Sequence, residues 1–251
     1  MNDGRARSFG EVAEAYDRYR PGPPAEAAAW VLPAEAADVL DVGAGTGAFT
    51  RRLVGRVSGQ VVAAEPDGRM RRVLADRSPG VVVVGATAEY LPFAAASFGA
   101  VVVSSAWHWV DATRAVPEIA RVLRPGGHLA VLWSGPDRRV DWVADVLGRG
   151  RDAMAGAEQE DHRHQVELPA GAPFGPAETT TLTWTMPMTR HELVGLAATY
   201  SQVIVLSPGE RASLLDRVAD LAARLIPLGG PAAIDVPMRC RCWRAARWPA
   251  P

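Results

Sequence analysis

The run LDVGAGTGAFT at residues 40–50 sets an acid, Asp41, two residues ahead of three alternating glycines, Gly43, Gly45 and Gly47. Glycine adopts positive φ without strain and lets backbone come close to a ligand, and the free N–H groups where a helix begins attract negative or polar groups. Glu65 ends the next apolar run, at the distance along the chain where a carboxylate can accept both hydroxyls of a ribose. A glycine turn between two such acids describes a nucleoside site. Downstream, SSAWHW at 104–109 gathers two serines, an imidazole and two indoles. His108 has the pKa range of a general base. Trp107 and Trp109, with Trp133, Trp142 and Trp184 further on, could wall an apolar acceptor pocket or, as most buried aromatics do, serve the core.

Two ligands compete for the turn. A dinucleotide would use Gly43-x-Gly45-x-x-Ala48 with Glu65 on its adenosine ribose, but Asp41 would then face a pyrophosphate of the same charge. S-adenosylmethionine would use Gly43-x-Gly45-x-Gly47, and Asp41 would stand near the ammonium of its methionine moiety, a favourable pairing. The residues therefore favour S-adenosylmethionine.

Such residues need a frame that brings strand ends together. Short β-branched runs occur at 39–42, 60–65, 81–85, 99–105 and 128–133, and between them GAFTRRLVGRV, DGRMRRVLADR and DATRAVPEIARVL carry apolar residues at helical spacing. Continuous apolar strands alternating with helices predict a mostly parallel sheet, covered on both faces, that collects ligands at the carboxyl ends of its strands. LRPGG at 123–127 is expected to stop a helix at Pro125 and turn through Gly126 and Gly127. After Trp133 the rhythm changes to an amphipathic stretch, VDWVADVL, followed by polar, Ala/Gly-rich sequence punctuated by proline. TTTLTWTM (179–186) and IDVPMRCRCWRA (234–245) alternate as strands, with Met238, Cys240 and Cys242 on one face and Arg239, Arg241 and Trp243 on the other.

Composition narrows the partners. The 251 residues carry a net charge of −1 with 22% charged residues, so no global positive field recruits polyanions, and nucleic acid is not an expected partner. Neither a membrane-spanning run nor an apolar leader is visible, which points to the cytoplasm. Two cysteines spaced as Cys240-x-Cys242 fit neither a disulfide framework nor a zinc knuckle. The run EQEDHRHQVE, with Glu158, Glu160, Asp161, His162, His164 and Glu167, lacks a defined ligand spacing, so no metal is expected.

LDVGAGTG, AAEPDGRM, GATAEYLPF, SAWHWVD and EIARVLRPGGHLAVLW resemble, in this order and spacing, the successive motifs of class I S-adenosylmethionine-dependent methyltransferases. They are most similar to the branch with a methyltransferase type 11 domain that includes trans-aconitate methyltransferase-like proteins. The likeness is strong over 9–134 and weaker beyond. It implies that Asp41, Gly43, Ala44, Gly45 and Gly47 line the methionine and ribose side of the cofactor, that Glu65 binds the ribose hydroxyls, and that Pro66 and Met70 pack on adenine. It also implies that Thr87, Ala88 and Glu89 hold the adenine edge and that Ser104 belongs to the cofactor site. Thr87 and Gly99 each replace an aspartate usual in the wider family. FGEVAEAYDRYRPGPP resembles the family's N-terminal cap, whose Tyr and Arg-Pro positions are matched by Tyr16 and Arg20; Arg20 could pair with the cofactor's carboxylate.

The resemblance implies a Rossmann-like α/β fold, a doubly wound, mostly parallel seven-stranded sheet. Its expected parts are a helical cap (1–36), a cofactor-binding core (37–134), a lid or insertion (135–178) and C-terminal strands and helices (179–251). Methyl transfer from a sulfonium is an in-line displacement on an activated carbon, so orientation in a dry cavity does most of the work. A hydroxyl acceptor would need a base, for which His108 is the candidate, with Trp107, Trp109 and Trp133 around the acceptor; a carboxylate acceptor needs none. The expected activity is transfer of methyl to a small-molecule metabolite, leaving S-adenosylhomocysteine. The alternatives are a non-catalytic regulator that binds the cofactor and a nicotinamide-dependent oxidoreductase. The oligomeric state is not legible in this chain.

Overall fold

The computed structural model describes residues 13–33, 37–147 and 165–249. Its helices and strands follow in the order α1 (Ala13–Tyr19), α2 (Ala25–Val31), β1 (Val39–Val42), α3 (Thr50–Leu53), β2 (Val61–Ala64), α4 (Gly68–Arg77), β3 (Val82–Val84) and β4 (Phe98–Ser104). After a 3-10 turn at Trp107–Trp109 come α5 (Ala112–Val122), β5 (Leu123–Pro136), α6 (Asp141–Leu147), β6 (Glu178–Met188), α7 (Arg190–Ala198), α8 (Ser201–Ile204), α9 (Pro208–Leu225) and β7 (Ile234–Ala246).

The strands form one seven-stranded sheet in the order β3-β2-β1-β4-β5-β7-β6. β1 pairs in parallel with both β2 and β4, β2 with β3, and β4 with β5. β7 runs against β5: Gly126 and Gly127 bond to Arg247, whereas Asp137 N–H donates to the Pro237 carbonyl at the far end. This is the mostly parallel, Rossmann-like sheet that the alternating strands and helices predict. The chain leaves β1 toward β2 and β3, then returns to its other side at β4, and the crevice outside the carboxyl ends at such a reversal is where open α/β sheets bind ligands.

Two compact units divide the described residues. One comprises 22–33, 37–134, 165–182 and 240–249, the other 13–21, 135–147 and 183–239. The stretch 135–178, expected as one insertion, is thus shared between them, and residues 148–164 lie outside the described residues.

The first unit is built on β1, β2 and β4, whose residues are almost all buried and which read in sequence as mostly Val, Leu and Ala, interrupted in β1 by Asp41. Their side chains pack with Val116, Ile119 and Val122 of α5 and with Leu129, Val131 and Trp133 of β5. Each such residue contributes about 1.5–3 kcal/mol of burial relative to exposure. Asp67 caps α4 by accepting from the Arg69 and Met70 N–H groups, and Asp111 caps α5 through Thr113 N–H. In the second unit, α6, α7 and α9 pack with Met188, Val236 and Met238 around Leu193 and Leu196. Capping boxes at Thr189/Glu192 and Ser207/Glu210 start α7 and α9. Among the described residues no helix is long and apolar enough to cross a membrane.

Two local expectations are corrected. LRPGG does end α5, but strand pairing starts at once: Leu123 pairs with Phe98 and His128 with Ala100, so the motif is a bulge inside β5 rather than a connecting turn. Gly126 supplies the left-handed residue (φ 77°), and a Cβ on Gly127 would lie 2.8 Å from the Gly99 carbonyl oxygen, so the bulge requires glycine there. The helix expected over GAFTRRLVGRV is a single turn, because Gly47 is still in the left-handed turn (φ 85°) and Gly55 (φ 77°) breaks the backbone again. Met238, Cys240 and Cys242 share the buried face of β7, as the alternation predicts, and the two thiols stand 3.7 Å apart.

Candidate cofactor and active site

The carboxyl ends of β1, β2 and β4 carry the residues singled out by their chemistry. All three glycines of the first turn are left-handed, with φ 66° at Gly43, 59° at Gly45 and 85° at Gly47. They do different work. A Cβ on Gly43 would lie 2.6 Å from the Ala106 Cβ, and one on Gly47 would lie 2.9 Å from Leu74 Cγ; these two glycines let the turn pack. A Cβ on Gly45 would meet nothing within 4 Å, so the turn presents open space there. The Gly43 and Ala44 N–H groups both donate to the Ala64 carbonyl, which ties the turn to the end of β2.

Two buried acids stand on the strands that the turn joins, Asp41 in β1 and Glu65 just past β2. Asp41 is fully buried, and Thr50 Oγ1 donates to its Oδ2 at 2.6 Å, while Oδ1 is buried without a hydrogen-bond partner. Burial pushes the Asp41 pKa up to about 7, against the pull of the Thr50 hydrogen bond and with a further rise from Glu65. Glu65 is 7% exposed, and its carboxylate accepts from Gly45 N–H (2.8 Å, Oε2) and Asp67 N–H (2.9 Å, Oε1). Burial raises its pKa too, although both backbone donors act in the opposite direction. Two buried carboxylates, one with an orphaned oxygen, suit a ligand that brings a cation and hydroxyl donors. They oppose a pyrophosphate, whose charge would add to theirs. The observed donor set fits S-adenosylmethionine and disfavours a dinucleotide.

Around the remaining positions, Met70 and Ala88 are buried, Pro66 and Thr87 are exposed, and Glu89 is half-buried with its carboxylate accepting the Asp111 N–H at 2.9 Å. Arg71 donates to the carbonyls of Glu65 and Pro66 and fixes that corner. Past β4, Ser104 is half-buried and Ser105 adopts a left-handed backbone (φ 56°), rare for a residue with a side chain. Its N–H donates to the Leu132 carbonyl at 2.7 Å, and the reversal sets Ala106 against Gly43. Trp107 and Trp133 are buried in the core cluster, Trp109 is half-buried, and His108 is exposed with its ring 4.6 Å from that of Trp109. The α/β core therefore takes Trp107 and Trp133 as packing residues, while His108 and Trp109 stay accessible. Trp142 and Trp184 belong to the cluster of the other unit.

Tyr16 and Arg20 also lie in that other unit. Arg20 donates through Nε to Thr199 Oγ1 (3.0 Å) and through Nη2 to the Thr199 carbonyl (3.3 Å), with its guanidinium over the Tyr16 and Tyr200 rings. Of the polar run at 158–167, all but the last three residues lie outside the described residues. Among the described residues, no group of three or more His, Cys, Asp or Glu could hold a metal ion.

Sequence reasoning missed Thr50, Arg71 and Ala106, and it named Ser105 without foreseeing its left-handed turn. Each acts through a contact across the fold, and Thr50 reaches Asp41 only because the glycine turn folds back, so no spacing rule announces it. Asp67 was legible as a helix cap from its position ahead of GRM.

The chain matches the family described as "Methyltransferase domain" over residues 40–131. It is 41% identical over 241 residues to an uncharacterised methyltransferase of Mycobacterium tuberculosis, covering 95% of each chain. An uncharacterised methyltransferase-like protein of Schizosaccharomyces pombe is 30% identical over 225 residues, 86% of each chain. Among solved structures, a protein of Anaeromyxobacter dehalogenans assigned to the type II methyltransferases superposes with a TM-score of 0.67 at 27% identity, covering 92% of this chain and 100% of that one.

Proposed function

Because the chain belongs to the S-adenosylmethionine-dependent methyltransferase family, we propose that it methylates an oxygen, hydroxyl or carboxylate, of a small-molecule metabolite. The methyl donor is S-adenosylmethionine, which supplies a carbon activated by its sulfonium. One observation carries the reading of the site: the orphaned Asp41 Oδ1, buried in β1 one residue before its end and near enough to Glu65 to feel its charge.

In this reading Asp41 accepts the donor's ammonium, with Thr50 holding the carboxylate in place. Glu65 accepts the ribose hydroxyls, and Gly45 leaves room for them. Pro66, Met70, Thr87, Ala88 and Glu89 surround the adenine. Orientation at the reacting carbon then supplies up to about 7–11 kcal/mol of barrier reduction without covalent participation by the protein. Ser104 ends β4 on the cofactor side, and His108 and Trp109 follow it at the strand end where an acceptor collects, while Trp107 and Trp133 pack in the core behind them. His108 takes the proton of a hydroxyl acceptor, and a carboxylate acceptor is methylated without a base. The small-molecule assignment is supported by the near-neutral chain, which offers no basic field for a nucleic acid.

The test is transfer of label from methyl-labelled S-adenosylmethionine into a metabolite extract, read by mass spectrometry, beside a thermal-shift panel of S-adenosylhomocysteine, NAD and NADP. The reading expects labelled small molecules and stabilisation by S-adenosylhomocysteine alone. Stabilisation without any transfer would leave a protein that binds the cofactor but does not use it. Stabilisation by a nicotinamide compound alone would overturn the site assignment.

A further inference from the structure

Thr87, Ala88 and Glu89 lie on the connection from β3 to β4, residues 85–97, which forms no helix and a single bridge, Thr87 to Tyr90. Its course is set by bonds to α5. Near its start, Glu89 Oε1 accepts the N–H of Asp111, the cap residue of that helix, at 2.9 Å. Further along, Leu91 N–H donates to Glu118 Oε2 (3.2 Å), while Arg121 donates through Nη2 to the Leu91 carbonyl (2.9 Å) and through Nη1 to the Phe93 carbonyl (2.7 Å). At its end, the Ala96 and Ser97 N–H groups donate to the carbonyls of Arg121 and Val122 at 2.9 and 2.8 Å. All these residues belong to the compact unit that holds the glycine turn.

These bonds converge on Arg121. Its Nε and Nη2 also donate to the two oxygens of Glu118, at 2.8 and 2.9 Å, and this bonding holds the Glu118 carboxyl below the usual carboxylate range, so the pair stays charged at neutral pH. With 37% and 26% of the two side chains exposed, the ion pair by itself adds little to stability. What it fixes is the plane of the guanidinium. With one edge spent on Glu118, the rigid fork reaches both carbonyls only when Leu91 and Phe93 stand where they do. Leu91 follows Glu89 by two residues, so the grip falls directly beside the three residues assigned to adenine. Arg124 offers a contrast: it pairs with Asp38 at 2.8 Å and meets the connection through Nε at the Ala96 carbonyl (3.4 Å), near its far end.

We propose that Arg121, braced by Glu118, is a positioning residue for adenine recognition, holding Thr87, Ala88 and Glu89 so that their polar groups meet the purine edge in one arrangement. A site held in one arrangement rejects a base whose edge exchanges a donor for an acceptor, because a buried polar group is then left unpaired. The inference rests on the reading above that these three residues surround adenine.

The experiment titrates the wild-type chain, Arg121→Met and Arg124→Met by calorimetry with S-adenosylhomocysteine and with S-inosylhomocysteine, which carries a carbonyl where adenine has its amino group. Each protein is used at a temperature where its melting curve shows it fully folded. The wild type should prefer S-adenosylhomocysteine by at least about tenfold. Arg121→Met should lose about tenfold in affinity for S-adenosylhomocysteine and much less for the inosine compound, so that its preference shrinks below about threefold. Arg124→Met should keep both affinities within about twofold, as expected for a part-exposed ion pair away from the base. Should Arg121→Met not fold, Glu118→Gln, which keeps an acceptor for Leu91 N–H but loses the charge opposite Arg121, carries the same test with a preference reduced by about threefold. A preference kept at the wild-type ratio in these variants, with or without a uniform loss of affinity, overturns the proposal, since a merely structural role weakens both ligands alike. An equal loss of preference in Arg124→Met overturns it too. A wild type that binds both compounds equally overturns the adenine reading itself, and the inference falls with it; that result is read before any variant is made, so the two failures are distinct.

Discussion

Glu65 and Gly45 meet through the Glu65 Oε2 atom, which accepts the Gly45 N–H at 2.8 Å across the mouth of the glycine turn. The acid thus ties the end of β2 to the turn, its other oxygen accepting the Asp67 N–H at 2.9 Å, and in the proposed reading the same carboxylate takes the ribose hydroxyls. Hydrogen bonds to a charged group contribute about 1.5–3 kcal/mol each. Glu65→Gln should therefore weaken S-adenosylhomocysteine binding by roughly 10–100-fold, measured by calorimetry.

Asp41 predicts a pH dependence with a definite sign. In the unfolded chain its carboxyl ionises near 3.8, and in the folded protein only near about 7. Between those values the folded state holds a proton that the unfolded state has lost, so this residue makes stability fall as pH rises from about 4 to 7, by about 4 kcal/mol in all, and level off above. Asp41→Asn removes the effect. Its melting temperature should exceed that of the wild type at pH 8 and approach it at pH 4.

If Asp41 takes the cofactor's ammonium, as proposed, the same ionisation governs binding. The affinity for S-adenosylhomocysteine should rise with pH up to about 7 and then flatten, as Asp41 ionises. Asp41→Asn should bind more weakly at pH 8 and show no such rise. A wild-type affinity that stays level from pH 5 to 8 would remove Asp41 from the ammonium site.

Gly43 and Gly45 separate folding from binding. Gly43→Ala combines a left-handed backbone with a Cβ 2.6 Å from Ala106, which costs about 2–4 kcal/mol and should lower the melting temperature by roughly 10 °C. Gly45→Ala meets no atom within 4 Å, so its cost is the backbone alone, about 1–2 kcal/mol. Its methyl fills the space assigned to the cofactor, and its loss of S-adenosylhomocysteine affinity should exceed tenfold.

His108 is exposed, its ring tilted 47° against that of Trp109. If it takes the acceptor's proton, His108→Ala should lower kcat by about 10²–10⁴-fold while changing S-adenosylhomocysteine affinity less than threefold. Unchanged kcat on a hydroxyl acceptor would remove the base assignment.

Much of the fold was legible because its cues are local. Buried parallel strands need apolar runs, and VVAA, AVVVS and VLDV, apart from its Asp41, provide them; the glycine turn needs positive φ, which Gly43, Gly45 and Gly47 supply. The bulge at LRPGG was not legible, since its pairing depends on where Phe98 and Ala100 stand in the neighbouring strand. The tryptophans were ambiguous for a related reason: an indole reads the same in a sequence whether it lines a pocket or fills a core, and burial placed Trp107 and Trp133 in the core.

From sequence alone come the strand and helix order, the acid-glycine-acid motif and the choice of a cationic nucleoside over a pyrophosphate, all set by residue type and spacing. Tertiary structure alone decided that Thr50 holds Asp41, that Ser105 turns Ala106 into Gly43, and that Arg20 and Arg138 converge on Tyr200. These contacts join residues from nine to 180 positions apart. Chain distance carries no information about such meetings; only the packed sheet and helices bring the partners within reach.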